Sequence, residues 1–214
     1  MSRGAFGLFR TDDRRSPAQR TRRLALQATS LAKLPRPVAR FWWRALRRAQ
    51  AERDTWSIDV ACRPAELRVL LDTLSGARRV AEVGTAAAWT TSCIALARPD
   101  REVDSWDVEA HPERDRYLAL LSPADRARVR LHDRPGGLGP ADPPPVDAVF
   151  IDSSHELEET IATFQTWKRA VSPGGIVAFH DYDDDAYPGV TQAVAQLGLD
   201  GVARGHLFVW RKPA

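Results

Sequence analysis

The 214-residue chain has few cysteines and no long apolar run, and each shortage excludes a class of protein. Its two cysteines, Cys62 and Cys93, are not spaced as a redox or zinc-binding pair, so both are expected to be buried thiols. The longest apolar runs are far shorter than a membrane span, and the first residues do not form a charged-then-apolar signal segment. These absences predict a cytoplasmic protein without a transmembrane helix.

Charge is distributed unevenly, although the net charge is only +3. Residues 1–53 contain 14 Lys and Arg against 3 Asp and Glu, which gives +11; the remainder contains 17 against 25, which gives −8. A basic head on an acidic body is typical of an interaction segment, but the head could equally dock on the body of its own chain. We therefore expect a basic extension at residues 1–55 and a main domain at residues 56–214. The acidic body argues against nucleic acid as a partner.

The extension is expected to become helical only after its first part. Residues 1–23 are polar and rich in arginine, and we expect them to be mobile. Leu24–Leu34 can form a short helix before Pro35. Val38–Arg53 combines an apolar face with an arginine-rich opposite face, so we expect this helix to pack on the main domain, or to act as a lid, rather than to bind a membrane.

Strand-like and helical segments alternate through the rest of the chain. Short apolar runs predict six strands and a weak seventh: Arg79–Val83, Glu102–Trp106, Arg128–Leu131, Val146–Ile151, Ile176–Phe179, His206–Arg211, and the weak one near Gly201–Arg204. Helical patterns lie between most of them, including Pro64–Leu74, Pro112–Leu121 and the segment after Pro188. This alternation predicts an α/β fold with a doubly wound, mostly parallel seven-stranded sheet and helices on both faces.

The stretch from Val146 to Tyr182 indicates how polar groups come together. A buried strand that ends at Ile151 is followed by a helix, for which Ser153 and Glu156 have the spacing of a capping box, and Ser172–Gly175 is expected to stop that helix before the next strand. Such a unit makes its two strands parallel, so the residues after both strands lie at the same sheet edge, where ligands bind in open α/β folds. Four polar side chains should meet there: Asp152, His155, His180 and Asp181.

The turn after the first strand is typical of a site for a nucleoside-like cofactor. Gly84 lets the backbone approach a ligand, and the next helix offers its N-terminus. Asp107 ends the second strand, where an acid binds ribose hydroxyls in nucleotide-binding α/β folds. The glycine-rich dinucleotide fingerprint is absent, so a cofactor without a pyrophosphate fits better. The alternative is a plain tight turn beside a solvated Asp.

Taken together and in order, these segments resemble the class I S-adenosylmethionine-dependent methyltransferases over about residues 60–212. The likeness is to bacterial O-methyltransferases related to the sugar, macrolide and catechol enzymes, a group that includes cephalosporin-hydroxylase-like proteins. The residues that carry it are Glu82–Thr85, Asp107, Phe150–His155, Pro173–Gly175, His180-Asp181 and Pro188–Val190. The resemblance implies a Rossmann-like methyltransferase sheet. It also implies methyl transfer from S-adenosylmethionine to a hydroxyl of a small molecule: a sugar, a phenol or a secondary metabolite.

The resemblance also implies roles for single residues. Those expected to bind the cofactor are Glu82, Gly84 and Thr85 beside its methionine part, Asp107 at the ribose and Asp133 near the adenine. Those expected to act on the acceptor are His155, which matches a general base, and Asp152. Asp152, His180 and Asp181 match the positions that hold a divalent metal in the metal-dependent members.

Two residues depart from the relatives. Ala88 stands where many have a second glycine, so its methyl group could narrow the cofactor site or be absorbed by a backbone shift. His180 stands where they usually carry an acid. Mg²⁺ prefers oxygen ligands, whereas an imidazole suits Mn, Fe, Zn or Ni, so the metal could be Mg²⁺, Mn²⁺ or one of these others. If His180 is not a ligand, only two acids remain and the site is weak or metal-free.

Two other functions stay open. His155, His180 and one Asp could form a two-His-one-carboxylate iron site in a related enzyme that no longer methylates. The arginine-rich head could instead make the chain a binding module for nucleic acid or an acidic carrier protein. Relatives often dimerise, so a homodimer is one option for the assembly.

Overall fold

A computed structural model of the protein describes residues 17–139 and 144–214. Nine α-helices are present in these two ranges: α1 (Pro17–Lys33), α2 (Arg36–Glu52), α3 (Thr55–Asp59), α4 (Pro64–Thr73), α5 (Trp89–Leu96), α6 (Glu113–Leu118), α7 (Pro123–Arg126), α8 (Leu157–Trp167) and α9 (Pro188–Gln196). A short 3₁₀ helix spans Gly136–Leu138. The strands are β1 (Arg79–Val83), β2 (Glu102–Asp107), β3 (Val129–Asp133), β4 (Val146–Ile151), β5 (Val171–Phe179), β6 (Gly201–Arg204) and β7 (Leu207–Arg211).

The seven strands form one sheet in the order β3-β2-β1-β4-β5-β7-β6. The first five are parallel to one another, whereas β7 runs antiparallel to both of its neighbours. The register places Val83 beside both Trp106 and Ile151, and Ile151 beside Phe179. The chain therefore leaves β1, β2, β4 and β5 at one level of the sheet edge. The predicted fold class, with its mostly parallel seven-stranded sheet, is confirmed.

Both faces of the sheet are covered, because successive strand residues alternate between two apolar clusters. On β4, Ala148 and Phe150 belong to the cluster beneath α2, α4 and α5. Val149 and Ile151 belong to the other cluster, together with residues of α8 and α9. Burial on both sides explains why these strands read as continuous apolar runs in the sequence.

The second helix packs onto the main domain, as one of the predicted alternatives proposed. Its buried residues are Val38, Phe41, Trp42, Ala45, Leu46 and Ala49. The Trp42 ring lies edge-on to Trp89 of α5, with 5.9 Å between ring centroids. The arginines of the opposite face are exposed, and Arg44 donates a hydrogen bond to the carbonyl of Leu120.

The first helix is longer than predicted. It begins at Pro17 rather than at Leu24, so the expectation of an irregular segment is wrong over residues 17–23. Proline is favoured in a first helical turn, where its missing N–H costs no hydrogen bond. The predicted mobility of residues 1–16 lies outside the described part of the chain.

The capping box predicted at Ser153 and Glu156 is wrong. Helix α8 starts one residue after Glu156, whose backbone is extended, and the hydroxyl of Ser154 accepts the N–H of Glu156 at 3.1 Å. The segment before the helix instead packs against α9, where a Cβ added to Gly189 would lie 2.2 Å from the carbonyl oxygen of His155. This contact holds residues 153–156 as a loop at the sheet edge.

The predicted helix stop at Ser172–Gly175 is also wrong, because these residues lie within β5. Helix α8 ends at Trp167, and β5 begins at Val171 opposite Val146. The register then shifts before Ala148 pairs with Ile176, and Gly174 has a φ of +75°. Pro173 and the two glycines are thus accommodated by an irregularity rather than by a turn.

Candidate active site

A cavity of about 1060 Å³ opens at the carboxyl edge of the parallel strands. Its walls come from the turn after β1, the end of β2, the 3₁₀ segment, and the loops after β4 and β5. The predicted site residues that line it are Gly84, Thr85, Asp107, Asp152, His155, His180 and Asp181. The structure therefore brings the turn after β1, which is expected to bind the cofactor, into the same cavity as Asp152, His155, His180 and Asp181. These four residues are called the acid–histidine group.

Gly84 is required by a main-chain contact inside the protein. Its φ is +107°, and a Cβ added there would lie 1.9 Å from the carbonyl oxygen of Asp152. The same turn holds Ala86 and Ala88 at φ values of 44° and 62°, in the left-handed region that costs a non-glycine residue roughly 1–2 kcal/mol. Ala88 is fully buried within the apolar cluster beneath α2 and does not line the cavity, so its methyl group does not narrow the cavity.

Asp107 holds this turn in place. One carboxylate oxygen, Oδ2, accepts the N–H of Thr85 at 3.0 Å and that of Ala86 at 2.7 Å. Within the described residues, the other oxygen, Oδ1, receives one long contact of 3.4 Å from the N–H of Glu109. Asp107 can therefore organise the loop through one oxygen and accept a ligand hydroxyl through the other.

Sequence reasoning missed Arg114, which ties the loops around the turn together. Its side chain is only 4% exposed and lies 3.1 Å from Asp107 and 2.6 Å from Asp133. Its guanidinium also donates to the carbonyl oxygens of Ala86 and Glu109. Nothing in the sequence singles it out, because it lies in a run of four charged residues, Glu113–Arg116, which reads as a solvated helix face.

Two of the residues predicted to bind the cofactor do not line the cavity. Asp133 is 53% exposed in its side chain and pairs with Arg114. Glu82 lies fully buried behind the turn, where the hydroxyls of Thr91 and Ser105 donate to its Oε2. Burial raises the pKa of the Glu82 carboxyl to about 8, despite these two hydrogen bonds. Glu82 therefore supports the turn from below.

The acid–histidine group lies directly after β4 and β5. Nδ1 of His180 is 3.0 Å from Asp152 and 3.3 Å from Asp181, and Nε2 of His155 is 2.9 Å from Asp181. The imidazole of His155 also stacks on Tyr187, with ring centroids 3.9 Å apart. All four predicted residues therefore meet, although they come from two separate loops.

The charges of this group stabilise one another. Burial alone would raise the pKa of Asp181, but the hydrogen bonds from His155 and His180 outweigh it and hold that pKa well below its usual range. Burial alone would likewise lower the pKa of His180, but the negative charge of Asp152 and its hydrogen bond raise it well above the ordinary value. The carboxylates of Asp152 and Asp181 therefore favour a positive charge between them.

Ligand atoms suitable for a metal fall into two groups within the described residues. Asp152, His155 and Asp181 have ligand atoms that all lie within 4.8 Å of one another. His180, predicted as a ligand of this group, belongs by the same measure to the second one, with Cys62 and Glu66. Neither group contains both imidazoles, so the geometry gives no support to a two-His-one-carboxylate iron site.

Comparison with known proteins places the chain among methyltransferase structures. A family model described as a methyltransferase domain matches residues 81–182. No curated protein matches the chain. In the described ranges, no helix is long and apolar enough to cross a membrane.

Three similar solved structures span most of both chains. The O-methyltransferase TomG from Streptomyces achromogenes, of tomaymycin synthesis and in complex with SAM, is 20% identical; the match covers 78% of this chain and 89% of TomG, with a TM-score of 0.59. The SAH-bound methyltransferase PaMTH1 of Podospora anserina is 13% identical and covers 94% and 97%, with a TM-score of 0.64. CalS11, a TDP-rhamnose 3'-O-methyltransferase of calicheamicin biosynthesis, is 17% identical and covers 93% and 96%, with a TM-score of 0.55. At sequence identities this low, the structural similarity establishes a shared fold and nothing more specific.

Proposed function

We propose that the chain is an S-adenosylmethionine-dependent enzyme that methylates a hydroxyl oxygen of a small molecule, because a methyltransferase-domain model matches residues 81–182 and the fold is shared with methyltransferases solved with SAM or SAH. The observation that carries the proposal is the single cavity lined both by Gly84 and Asp107 and by the group of Asp152, His155 and Asp181. A cofactor turn and a proton-accepting group in one space are what methyl transfer to a hydroxyl requires.

The residues present fit S-adenosylmethionine. Gly84 and Thr85 of the turn after β1 line the cavity, and Oδ1 of Asp107 is available to accept a ribose hydroxyl. The cofactor supplies an electrophilic methyl group on a sulfonium. The chain supplies the alignment, because holding two reactants in attack geometry can contribute several kcal/mol to catalysis.

His155 is the residue suited to accept the acceptor's proton. Its Nε2 faces Asp181 at 2.9 Å, so the carboxylate can fix the tautomer in which Nε2 carries the proton and Nδ1 is basic. An imidazole oriented by a carboxylate is an effective base near neutral pH. Asp181 is thus a positioning residue for His155.

A divalent cation fits the same place. The ligand atoms of Asp152, His155 and Asp181 are close enough to surround one ion, and two carboxylates with one imidazole suit Mn²⁺ or a similar ion better than Mg²⁺. When bound, such an ion would lower the pKa of a coordinated hydroxyl. It would also take a ring nitrogen of His155 as a ligand, so activation by the ion and proton acceptance by a metal-free His155 are alternative ways to prepare the acceptor.

The acceptor class is supported by the rim of the cavity and by the similar proteins. Trp56 and Val60 line the cavity and are partly exposed, which offers an apolar surface for a ring. TomG and CalS11 are O-methyltransferases of tomaymycin synthesis and calicheamicin biosynthesis. We therefore include phenols, sugars and other ring-containing natural products as candidate acceptors.

Calorimetry with S-adenosylmethionine and a methyl-transfer assay on a panel of phenols and nucleotide sugars test the proposal. We expect binding of the cofactor, and a rate about 10²–10⁴-fold lower for His155→Asn if His155 is the base. The exposed His206 offers a matched control, since His206→Asn should leave the rate unchanged. Repeating the assay with a chelator, and with Mn²⁺ or Mg²⁺ restored, measures the contribution of the ion. Absence of cofactor binding with and without divalent ions would exclude the proposed activity.

A further inference from the structure

We propose that Cys62, Glu66 and His180 form a second metal site, for Zn²⁺ or a similar borderline ion, in the wall of the cavity. The site is distinct from the group of two aspartates and His155 described above. It does not depend on methyl transfer, because it follows from the ligand atoms alone.

The three ligands are placed by well-defined elements. Cys62 lies just before α4 and Glu66 lies in its first turn, where Pro64 occupies one of the first two positions and the carboxylate of Glu66 accepts the N–H of Arg63 at 3.1 Å. His180 follows β5 at the sheet edge. The N-terminus of α4 also favours negative charge, which suits the carboxylate of Glu66.

The distances are close to those that a tetrahedral ion imposes. Nε2 of His180 lies 3.9 Å from Sγ of Cys62 and 3.7 Å from Oε2 of Glu66. Zinc bonds of about 2.0–2.3 Å at tetrahedral angles place ligand atoms roughly 3.3–3.6 Å apart. All three ligand atoms lie within 4.8 Å of one another, so shifts of roughly an ångström or less per atom would complete the coordination.

The imidazole of His180 is already oriented for this role. Its Nδ1 is 3.0 Å from Oδ1 of Asp152, so the carboxylate accepts the Nδ1 proton and leaves Nε2 facing Cys62 and Glu66. Metal-binding histidines characteristically donate their other ring N–H to a carboxylate in this way. Asp152 therefore acts here as a positioning residue.

The site would keep one position open to the cavity. Glu66 and His180 line the cavity, whereas Cys62 is buried behind them. Three protein ligands with an accessible fourth position are characteristic of catalytic rather than structural zinc. Coordination requires a thiolate and a neutral imidazole, so binding of Zn²⁺ releases the proton of the Cys62 thiol, and any proton on Nε2 of His180, to solvent.

Titration of the metal-stripped, full-length protein with Co²⁺ tests this site by absorption spectroscopy. We expect a thiolate-to-Co²⁺ charge-transfer band that saturates with the Co²⁺ bound through Cys62 and is abolished by Zn²⁺; the group of two aspartates and His155 contains no thiolate and does not contribute to the band. Cys62→Ser should remove the band. Cys93→Ser is the matched control, since Cys93 is the other buried free cysteine and belongs to neither ligand group, and it should retain the band. Circular dichroism verifies the fold of each variant.

Absence of the band in the unmodified protein, or its survival in Cys62→Ser, would overturn the proposal. If Cys62→Ser does not fold, Glu66→Gln serves instead and should weaken Co²⁺ binding by about tenfold or more, and an unchanged affinity would exclude Glu66 as a ligand. Asp152→Asn should weaken it about 10–100-fold through His180. All measurements are made without S-adenosylmethionine, so their outcome is separate from that of the methyl-transfer assay.

Discussion

At the scale of single residues, Gly84 leaves less room for a side chain than any other described glycine. A methyl group there would lie 1.9 Å from the carbonyl oxygen of Asp152, and the φ of +107° is strained for any L side chain. We expect Gly84→Ala to lower the free energy of unfolding by more than about 2 kcal/mol and to abolish cofactor binding. Urea unfolding and calorimetry measure the two effects.

Gly76→Ala is the matched control for that substitution. A Cβ added at Gly76 meets no atom within 4 Å, and its φ lies outside the left-handed region. We expect a change in stability below about 1 kcal/mol. Equal effects of the two substitutions would show that the contact between residues 84 and 152 is not the cause.

The buried Glu82 should make stability depend on pH. Because burial raises the pKa of its carboxyl from 4.5 to about 8, the folded state keeps a proton that the unfolded chain has lost. Its contribution is therefore complete below about pH 4.5 and is lost as the pH rises toward 8, with a slope of up to about 1.4 kcal/mol per pH unit. Glu82→Gln should flatten this part of the profile.

Urea unfolding between pH 5 and pH 8 measures that difference. Other groups also titrate between pH 5 and pH 8, so the slope of stability against pH is compared between the unmodified protein and each variant. Glu158→Gln is the control, because Glu158 is exposed at the start of α8 and should leave the slope unchanged. Parallel profiles for the unmodified protein and Glu82→Gln would contradict a protonated Glu82.

The sequence indicates some site residues and hides others. Asp107, Asp152 and His180 each lie at or just after the end of a buried parallel strand, so topology alone brings them to one edge. For Arg114 and Cys62 the sequence predicts no more than a helix over Pro112–Leu121 and a buried thiol. Their roles follow from tertiary contacts that no local spacing encodes, such as the 3.9 Å approach of Cys62 to His180.

At the scale of elements, α2 is expected to hold the N-terminal part of the chain on the main domain. Trp42 is 4% exposed and packs on Trp89, whereas its neighbour Trp43 is 52% exposed. We expect Trp42→Ala to cost about 3–5 kcal/mol and Trp43→Ala less than about 0.5 kcal/mol. Thermal and urea unfolding of both variants make the comparison. If Trp42→Ala lowers the free energy of unfolding as little as Trp43→Ala does, the packing of α2 does not contribute to the stability of the domain.

The strands were easier to predict than the limits of the helices. Runs such as Val146–Ile151 are apolar throughout because both sheet faces are buried, and their bounds agree with the structure. The start of α8 is shifted because the contact between Gly189 and His155 overrides the local capping signal. Pro173 lies within β5 because the strand tolerates an irregular register there. Both deviations result from tertiary contacts that outweigh local preference.

At the scale of the whole molecule, cofactor binding should stabilise the entire fold. The residues that line the cavity come from β1, β2, the loops after β4 and β5, and helices α3, α4, α5 and α8, so a ligand in it contacts elements distant in sequence. With S-adenosylhomocysteine at 100 times its Kd, we expect the free energy of unfolding to rise by about 2.7 kcal/mol. Thermal unfolding with and without the ligand measures this, and Gly84→Ala should show no rise. An unchanged melting temperature for the unmodified protein would contradict binding to the folded state.

The uneven distribution of charge between the basic extension and the acidic main domain is also a property of the whole molecule. Arg116 of the main domain pairs with Glu52 at 2.8 Å and Asp54 at 3.2 Å, so the described end of the basic extension is attached to the body by its acids. The role of residues 1–16, the domain boundary near residue 55, the homodimer and the cytoplasmic location stay predictions.

The direct apposition of residue 84 and the carbonyl of residue 152 has a further consequence. At this contact the backbone of the turn expected to hold the methyl donor lies directly against the backbone of the loop expected to hold the acceptor, so a shift of one there should displace the other. Whichever of the two ligands enters first should therefore preset the geometry met by the second. Because such linkage is reciprocal, each must change the affinity of the other by the same factor.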